Sequence, residues 1–201
     1  SLNDGQTWAL STTNGLFGGG GVLGGGYGIA FNGDQTFVAV GRYYNGTQFT
    51  GQIGYSTDGG QTWTISLTNG LFGGGGGYGI ASNGGNTFVT VGQYNNGTQA
   101  TGQIGYSIDD GQTWTVSTTN DLFGGGGGGY GNCIAFNGLN TFVAVGQYND
   151  GTQKFGQIGY SENGGQTWAL SSQNVLFSGG GGLGIAYNGD QTFVAVGQYN
   201  D

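Results

Sequence analysis

The side chains that could carry acid–base chemistry in this sequence are almost all carboxylates. The 201 residues include ten Asp and Glu, no His, and two cations, Arg42 and Lys154. Hydrolysis of a glycoside requires two facing carboxylates, one of them in surroundings that raise its pKa. The acids here, such as Asp58 and Asp109, lie in turns that recur along the chain, so we expect them around a rim and not in one pocket. We therefore predict no catalytic residues and no enzyme.

The sequence also has few residues that could bind a metal ion or act as a reactive thiol. With no His and one cysteine, Cys133, the chain cannot form a Cys/His zinc site, an internal disulfide or a His-based triad. Cys133 has few cations available to lower its pKa, so we predict an unreactive strand residue. The turn acids Asp58, Asp109, Asp110 and Asp150 lack the spacing of an EF-hand loop. Solvated turn residues are favoured over a calcium site, and we predict no metal and no cofactor.

The net charge of −8 restricts the partners of the chain. Two cations make no basic surface for nucleic acid or anionic lipid, and the apolar runs are too short to span a membrane. We expect no nucleic acid and no direct membrane insertion. The partners we expect are glycans or copies of the chain itself, in a homo-oligomer or fibre. The sequence does not begin with Met, so we expect a processed or partial chain, and we place it outside the cell, secreted or surface-exposed.

The elements that would position these residues repeat along the chain. Four tryptophans, Trp8, Trp63, Trp114 and Trp168, are separated by 55, 51 and 54 residues. After each one come a glycine tract, an Asn-Gly pair, a Thr-Phe-Val run and a polar turn. The chain has 52 glycines, which without a period would indicate disorder, but a period of this length is typical of propeller blades.

Each repeat contains four predicted strands. In the first complete copy they are A (29–32), B (36–43), C (52–56) and D (61–66). Thr, Phe and Val suit a pleated surface, and Asn-Gly suits a tight hairpin turn. No stretch has helical periodicity. We predict an all-β fold, a β-propeller of four-stranded antiparallel blades, in one repeat domain over 1–201 with repeats 1–55, 56–106, 107–160 and an incomplete 161–201.

The two chain ends leave two arrangements open. Either residues 1–201 are a segment of a longer repeat chain, or the N-terminal strand completes the last blade and closes a ring. The segment is favoured, because a strand missing from the last blade would leave backbone hydrogen-bonding groups unpaired.

A string of the form Ser-x-Asp-x-Gly-x-Thr-Trp recurs once per repeat. Two copies match it in full, and two carry Asn in place of the acid. Its members are Ser1, Asn3, Gly5 and Trp8; Ser56, Asp58, Gly60 and Trp63; Ser107, Asp109, Gly111 and Trp114; and Ser161, Asn163, Gly165 and Trp168. The string resembles the Asp-box, or BNR repeat, of sialidases and many non-enzymatic β-propellers. The resemblance implies a propeller in which the box is a structural turn between the third and fourth strands of a blade. Physically, an Asp or Asn side-chain oxygen can accept backbone N–H bonds within its own turn.

The same resemblance supplies a test for catalysis. Sialidases use three arginines on the substrate carboxylate, a Tyr/Glu nucleophile pair and an Asp acid. The single arginine, Arg42, cannot supply that triad. The single glutamate, Glu162, lies at a variable position of a box, where we expect it to face solvent. The departures from the sialidase pattern therefore favour a non-enzyme.

Aromatic residues flank the glycine tracts. Those before the tracts are Phe17, Phe72, Phe123 and Phe177, and those after are Tyr27, Tyr78 and Tyr130, with Leu183 in the fourth place. These rings form either a sugar-stacking ligand contact in each blade or packing between blades, and Leu183 favours packing. The tracts are either close backbone approaches near a central axis, where only glycine fits, or flexible loops.

Asn45 and Asn96 each begin an Asn-Gly-Thr acceptor sequon for N-glycosylation. The other two turns at this position read Asn-Asp, which breaks the sequon. Turn chemistry explains all four turns equally well, so both interpretations stay open.

Together these features predict a non-catalytic extracellular module with a structural or adhesive role. The alternative is a carbohydrate-binding lectin with one shallow site per blade, built from Tyr, Asn, Gln and backbone groups. A glycoside hydrolase-like propeller is the remote alternative.

Overall fold

The computed structural model describes residues 1, 4–13, 15–18, 24–173 and 176–199, and they form an all-β chain as predicted. The strands are β1 (Gly25–Phe31), β2 (Phe37–Tyr44), β3 (Phe49–Ser56), β4 (Thr64–Ile65), β5 (Gly76–Ser82), β6 (Phe88–Asn95), β7 (Ala100–Ser107), β8 (Thr115–Val116), β9 (Tyr130–Phe136), β10 (Phe142–Asn149), β11 (Lys154–Ser161), β12 (Ala169–Leu170), β13 (Gly181–Tyr187) and β14 (Phe193–Gln198). They make four antiparallel sheets in chain order: sheet 1 (β1–β4), sheet 2 (β5–β8), sheet 3 (β9–β12) and sheet 4 (β13–β14). In the described part of the chain, β14 pairs with β13 alone.

Two strand boundaries differ from the prediction. β1 begins at Gly25 instead of residue 29, because the end of the glycine tract pairs with β2, Gly26 opposite Gly41. β4 keeps only Thr64–Ile65 of the predicted 61–66, because the preceding residues form the box turn.

Two short 3₁₀ helices, Asn69–Phe72 and Asn120–Phe123, lie where no helix was predicted. Each begins with an asparagine that is fixed to a neighbouring strand. The Asn69 side-chain oxygen accepts the N–H of Ile53 at 2.7 Å, and that of Asn120 accepts the N–H of Ile104 at 2.6 Å. Periodicity could not reveal these helices, since each is a single turn. Within the described residues, no helix is long and apolar enough to cross a membrane.

Apolar side chains fill the space between successive sheets. Val38, Val40 and Ile53 of sheet 1 pack against Ile80 of sheet 2 and against Phe72, the last residue of the 3₁₀ helix that precedes sheet 2. The same positions of sheet 2 pack against sheet 3 in a second cluster of Val89, Val91, Ile104, Leu122, Phe123, Ile134, Phe142, Ala144 and Trp168. Each inner sheet is therefore stabilised by its neighbours in the chain, as in repeat proteins.

Glycine is required where the first strand of one sheet crosses the second strand of the preceding sheet. A Cβ on Gly77 would lie 2.8 Å from the Cβ of Val40, and a Cβ on Gly131 would lie 2.6 Å from the Cβ of Val91. Both distances are shorter than real Cβ contacts. At Gly77, which ends the second glycine tract, close packing against the preceding sheet therefore accounts for the glycine.

A β-bulge interrupts the pairing of the first two strands in every sheet. The extra residue is Tyr78 in sheet 2 and Asn132 in sheet 3. The bulge at Asn132 is therefore not particular to sheet 3 but common to all four sheets. The register also corrects the repeat alignment, because Asn132, and not Tyr130, occupies the place of Tyr78.

Candidate functional site

The Asp-box turns join the third and fourth strands of sheets 1 to 3. In the first complete box, the Ser56 hydroxyl accepts the N–H of Gly60 at 2.9 Å and donates to the Asp58 carboxylate at 2.7 Å. Asp58 accepts the N–H of Thr62 at 2.9 Å and its hydroxyl at 2.6 Å. The Trp63 indole donates to the Gly60 carbonyl at 3.2 Å. The box is thus a turn closed by its own side chains.

The other boxes repeat this geometry. Equivalent bonds connect Ser107, Asp109, Gly111 and Trp114, then Ser161, Gly165 and Trp168, and finally Ser1, Gly5 and Trp8. Asn3 lies outside the described residues. Asn163 replaces the acid by accepting the N–H of Thr167 at 3.0 Å and donating to its hydroxyl at 2.7 Å. An amide therefore closes the turn as a carboxylate does, without charge.

Hydrogen bonds control the titration of the box carboxylates. The hydroxyl of Thr62, followed by its N–H and the Ser56 hydroxyl, lowers the pKa of Asp58 from 3.8 to about 2. Partial burial would raise the pKa of Asp109, but bonds from Thr113 and Ser107 outweigh it and the pKa is lowered. At neutral pH both groups are ionised and bound within their turns, whereas the acid of a glycosidase needs a raised pKa.

The boxes of sheets 2 and 3 also bind the segment that leaves the preceding sheet. Ser66 donates to the carbonyl of Gly111 at 2.6 Å, and the Thr68 hydroxyl accepts the N–H of Trp114 at 2.5 Å. Ser117 and Thr119 form the same pair of bonds to the next box. This Ser-x-Thr segment was not predicted, although its recurrence after β4 and β8, at residues 66–68 and 117–119, was a usable signal. The box therefore couples neighbouring sheets as well as bracing its own turn.

The predicted phenylalanine contacts lie in the packing between sheets. Phe72 and Phe123 are fully buried. Phe17 and Phe177 are half-buried. A Cβ on Gly92 would lie 2.8 Å from the Phe72 ring, which shows how tightly the strand covers it. The structure thus places Phe72 and Phe123 in the core between sheets, whereas Phe17 and Phe177 are only partly covered in the outer repeats.

The three predicted tyrosines come together at the first strands of sheets 1 to 3. Ring centroids are 5.6 Å apart for Tyr27 and Tyr78 and 6.2 Å apart for Tyr78 and Tyr130, both edge to face. Burial raises the pKa of Tyr78, against the opposing effect of the Arg42 charge. The Arg42 guanidinium itself lies over the Phe49 ring, 3.6 Å from its centroid. The only arginine of the sequence is therefore held by aromatic packing.

The hairpin turns between the first two strands of all four sheets converge on one cavity of about 970 Å³, which we call the hairpin cavity. Its lining comprises Phe31 and Gly33 from sheet 1; Ala81, Ser82, Asn83 and Gly84 from sheet 2; Phe136, Asn137, Gly138 and Leu139 from sheet 3; and Tyr187, Gly189, Asp190 and Gln191 from sheet 4. From the sequence, these residues were predicted only as the ends of strands and the turns between them. Their convergence depends on how the sheets are stacked.

The hairpin cavity combines aromatic rings with mostly neutral polar groups. Phe31, Phe136 and Tyr187 occupy the same repeat position, just before Asn-Gly, and Ser82 takes that position in sheet 2. Among the described residues that line it, one is a carboxylate, Asp190, and none is a cation. This lining is suited to a neutral polar ligand with one apolar face. The residue before Asn-Gly varies between repeats, whereas Asn-Gly itself is constant. This contrast was the sequence signal that could have identified the hairpin cavity.

The remaining predicted groups are dispersed. No group of three or more Cys, Asp or Glu side chains among the described residues could hold a metal ion. Glu162 is exposed in its box turn, and Cys133 is a half-buried free thiol.

The two sequon asparagines are exposed and close their own turns. The side-chain oxygen of Asn45 accepts the N–H of Thr47 at 2.9 Å, and that of Asn96 accepts the N–H of Thr98 at 2.9 Å. Asp150 makes the same bond in sheet 3, where no sequon exists. Glycosylation of Asn45 and Asn96 stays a prediction.

Comparison with known proteins agrees with this geometry. The BNR/Asp-box repeat family model matches residues 55–64, the first complete box. The Hadza microbial sialidase Hz136 shares the fold with a TM-score of 0.53 and 13% sequence identity, over 88% of this chain and 40% of that chain. The Trypanosoma rangeli sialidase, in complex with 2,3-difluoro-KDN, gives a TM-score of 0.50 and 15% identity, over 85% of this chain and 32% of that chain. No curated protein sequence matches.

These findings define the class. The fold is all-β with antiparallel sheets like those of propeller proteins, and the matched turn is an Asp-box. The chain contains an Asp-box (BNR) repeat at residues 55–64, and it spans less than half the length of either sialidase. At these identities the likeness to sialidases concerns the fold.

Proposed function

We propose that the chain is an array of propeller blades that acts outside the cell as a structural or adhesive module and does not catalyse a reaction. The observation that carries this proposal is the state of the box acids. Asp58 and Asp109 have lowered pKa values and are bound within their own turns. The hairpin cavity has Asp190 as its one carboxylate. A propeller site for glycoside hydrolysis would need a second, facing acid.

The surface chemistry supports the location and the role. With 6% charged residues and a net charge of −8, the chain offers neutral polar turns that bind anionic polymers poorly. Repetition of equivalent turns suits multivalent attachment, in which several weak contacts together gain about 10²–10⁴ in avidity when geometry allows.

A hydrolysis assay tests the absence of catalysis. The purified chain is incubated with fluorogenic glycosides of sialic acid, galactose and N-acetylglucosamine, and we expect no turnover above buffer. Turnover that disappears in Asp190→Asn or Glu162→Gln, and persists in Asp150→Asn, would establish an enzyme and end the proposal. Asp150 is the control because its turn lies at the other end of the strands from the hairpin cavity.

The hairpin cavity favours carbohydrate binding as a second candidate function. Three aromatic rings and several amide groups face one opening, a combination that binds sugar rings by stacking and hydrogen bonding. The site proposed now is shared by the four sheets, which differs from the one shallow site per blade expected from sequence.

A glycan array tests this second candidate. We expect saturable binding that weakens about 10-fold or more in Phe136→Ala and Tyr187→Ala, since removing a stacked ring costs about 1.4 kcal/mol or more. Leu67→Ala, an exposed residue away from the cavity, should bind as the unaltered chain does. Binding that is equal in all variants would exclude the hairpin cavity as the site.

A further inference from the structure

The two ends of the sheet stack expose positions that the inner repeats bury. Val194 and Val196 of β14 are 58% and 61% exposed, whereas the equivalent Val38 and Val40 of β2 are 0% exposed. At the other end, Ile29 of β1 is 61% exposed. We call the surface of Val194 and Val196 the trailing face, and the surface of Phe17, Gly26, Ile29 and Trp63 the leading face.

The inner repeats show what normally covers these positions. Two equivalents of Ile29, Ile80 and Ile134, are 9% and 6% exposed because the valines of the preceding sheet lie against them, and the third, Ile185, is partly buried. A Cβ on Gly182 would lie 2.6 Å from the Cβ of Val145, so valine and glycine meet at the third contact as well. In every inner contact, a trailing face packs on a leading face.

The leading face of sheet 1 has room for the same partner. A cavity of about 500 Å³ lies there, and its lining includes Leu16, Phe17, Gly26, Ile29 and Trp63. The lining contains no charged side chain. Trp63 corresponds to Trp114, which is 6% exposed in the core between sheets 1 and 2.

We propose that the leading face of one copy of this chain binds the trailing face of a second copy, head to tail. Both faces are open in one molecule, so neither covers the other. The contact is heterologous, because the valines of a trailing face fit against the glycine of a leading face. A contact between two trailing faces would leave both leading faces uncovered. A heterologous contact produces a ring when its rotation closes and a filament when it does not. This inference rests on packing alone and is independent of any ligand in the hairpin cavity.

Sedimentation of the 201-residue chain over a range of concentrations tests the contact. We expect assemblies larger than the monomer, and a loss of association by about 10-fold or more in either Val196→Asp or Ile29→Asp, because each buries an unpaired carboxylate. The control is Leu67→Asp, which adds the same charge at a side chain that is 79% exposed and on neither face. It should assemble as the unaltered chain does, and circular dichroism should show all three variants folded.

Mixing the Ile29→Asp and Val196→Asp variants distinguishes this contact from non-specific association. The Ile29→Asp chain keeps its trailing face and the Val196→Asp chain keeps its leading face, so the mixture should form one-to-one dimers and nothing larger. A chain that is monomeric at every concentration, a mixture that stays monomeric, or self-association of either variant alone as strong as that of the unaltered chain would overturn the proposal. Hydrolysis or glycan binding by the monomeric Val196→Asp chain would test the proposed function and would leave the head-to-tail contact unaffected.

Discussion

At the residue scale, the box exchanges a carboxylate for an amide without losing its turn. Asp58 and Asn163 each accept the backbone N–H four residues ahead, at 2.9 and 3.0 Å. The difference between them is charge and therefore pH dependence. A carboxyl whose pKa is lower in the folded chain stabilises the fold above its unfolded pKa, and that stabilisation is lost as the pH falls through the folded pKa.

The double variant Asp58→Asn/Asp109→Asn should therefore resist acid better than the unaltered chain. Asp58 has a folded pKa of about 2 against an ordinary value of 3.8, so its contribution disappears between about pH 5 and pH 2. We expect similar thermal midpoints at neutral pH and a smaller drop on acidification for the double variant. The reverse change, Asn163→Asp, should add acid sensitivity. Equal pH profiles for all three chains would refute this account of the box.

The sequence was sufficient for the box because its bonds are local. Ser56, Asp58 and Thr62 lie within a few residues of one another, and side-chain capping of a turn follows from residue type and spacing. The bond between Thr68 and the backbone of Trp114 joins two repeats. Spacing alone does not reveal such a bond, because it depends on how closely two sheets approach.

At the scale of elements, glycine in the first strand determines how closely the sheets pack. A side chain on Gly131 would overlap Val91 of the preceding sheet, while Gly70 has nothing within 4 Å of its would-be Cβ. The number of strands was predicted correctly for three repeats, but strand A was predicted to begin too late. The glycine tract was predicted to be a connection, because glycine has low strand propensity and its role here is set by the neighbouring sheet.

Gly131→Ala should destabilise the chain by about 1–3 kcal/mol, the usual cost of overpacking a well-packed core. Gly70→Ala is the matched control and should be neutral or stabilising by up to about 1 kcal/mol, because alanine restricts the unfolded chain. Adding Val91→Ala to Gly131→Ala should recover part of the loss, as neighbouring residues are not additive. Urea denaturation measures all of these. A Gly131→Ala chain as stable as the unaltered one would contradict the close approach of the two strands.

At the scale of the whole molecule, the sheets form a stack in which inner sheets share faces with their neighbours and the outer faces stay open. The sequence predicted the period, the number of repeats and the all-β class, since these depend on recurring local patterns. It did not reveal the hairpin cavity or the two open faces. Both arise from the relative placement of whole sheets, which no single repeat encodes.

Because contacts run between neighbours, removal of one complete repeat should leave a shorter folded stack. Deletion of residues 56–106 joins Tyr55 to Ser107 and restores the Gly-Tyr-Ser sequence found at both original positions. The sheet 1 valines Val38 and Val40 then meet sheet 3 in place of Val89 and Val91, which are the same residue types. We expect a strand-type circular dichroism spectrum, cooperative unfolding, and a guanidinium m-value lower by roughly a quarter, because less surface is buried. Deletion of residues 56–80 alone leaves the strands out of phase and should prevent folding. If both deletions unfold the chain equally, the repeats depend on the complete stack and not on their neighbours.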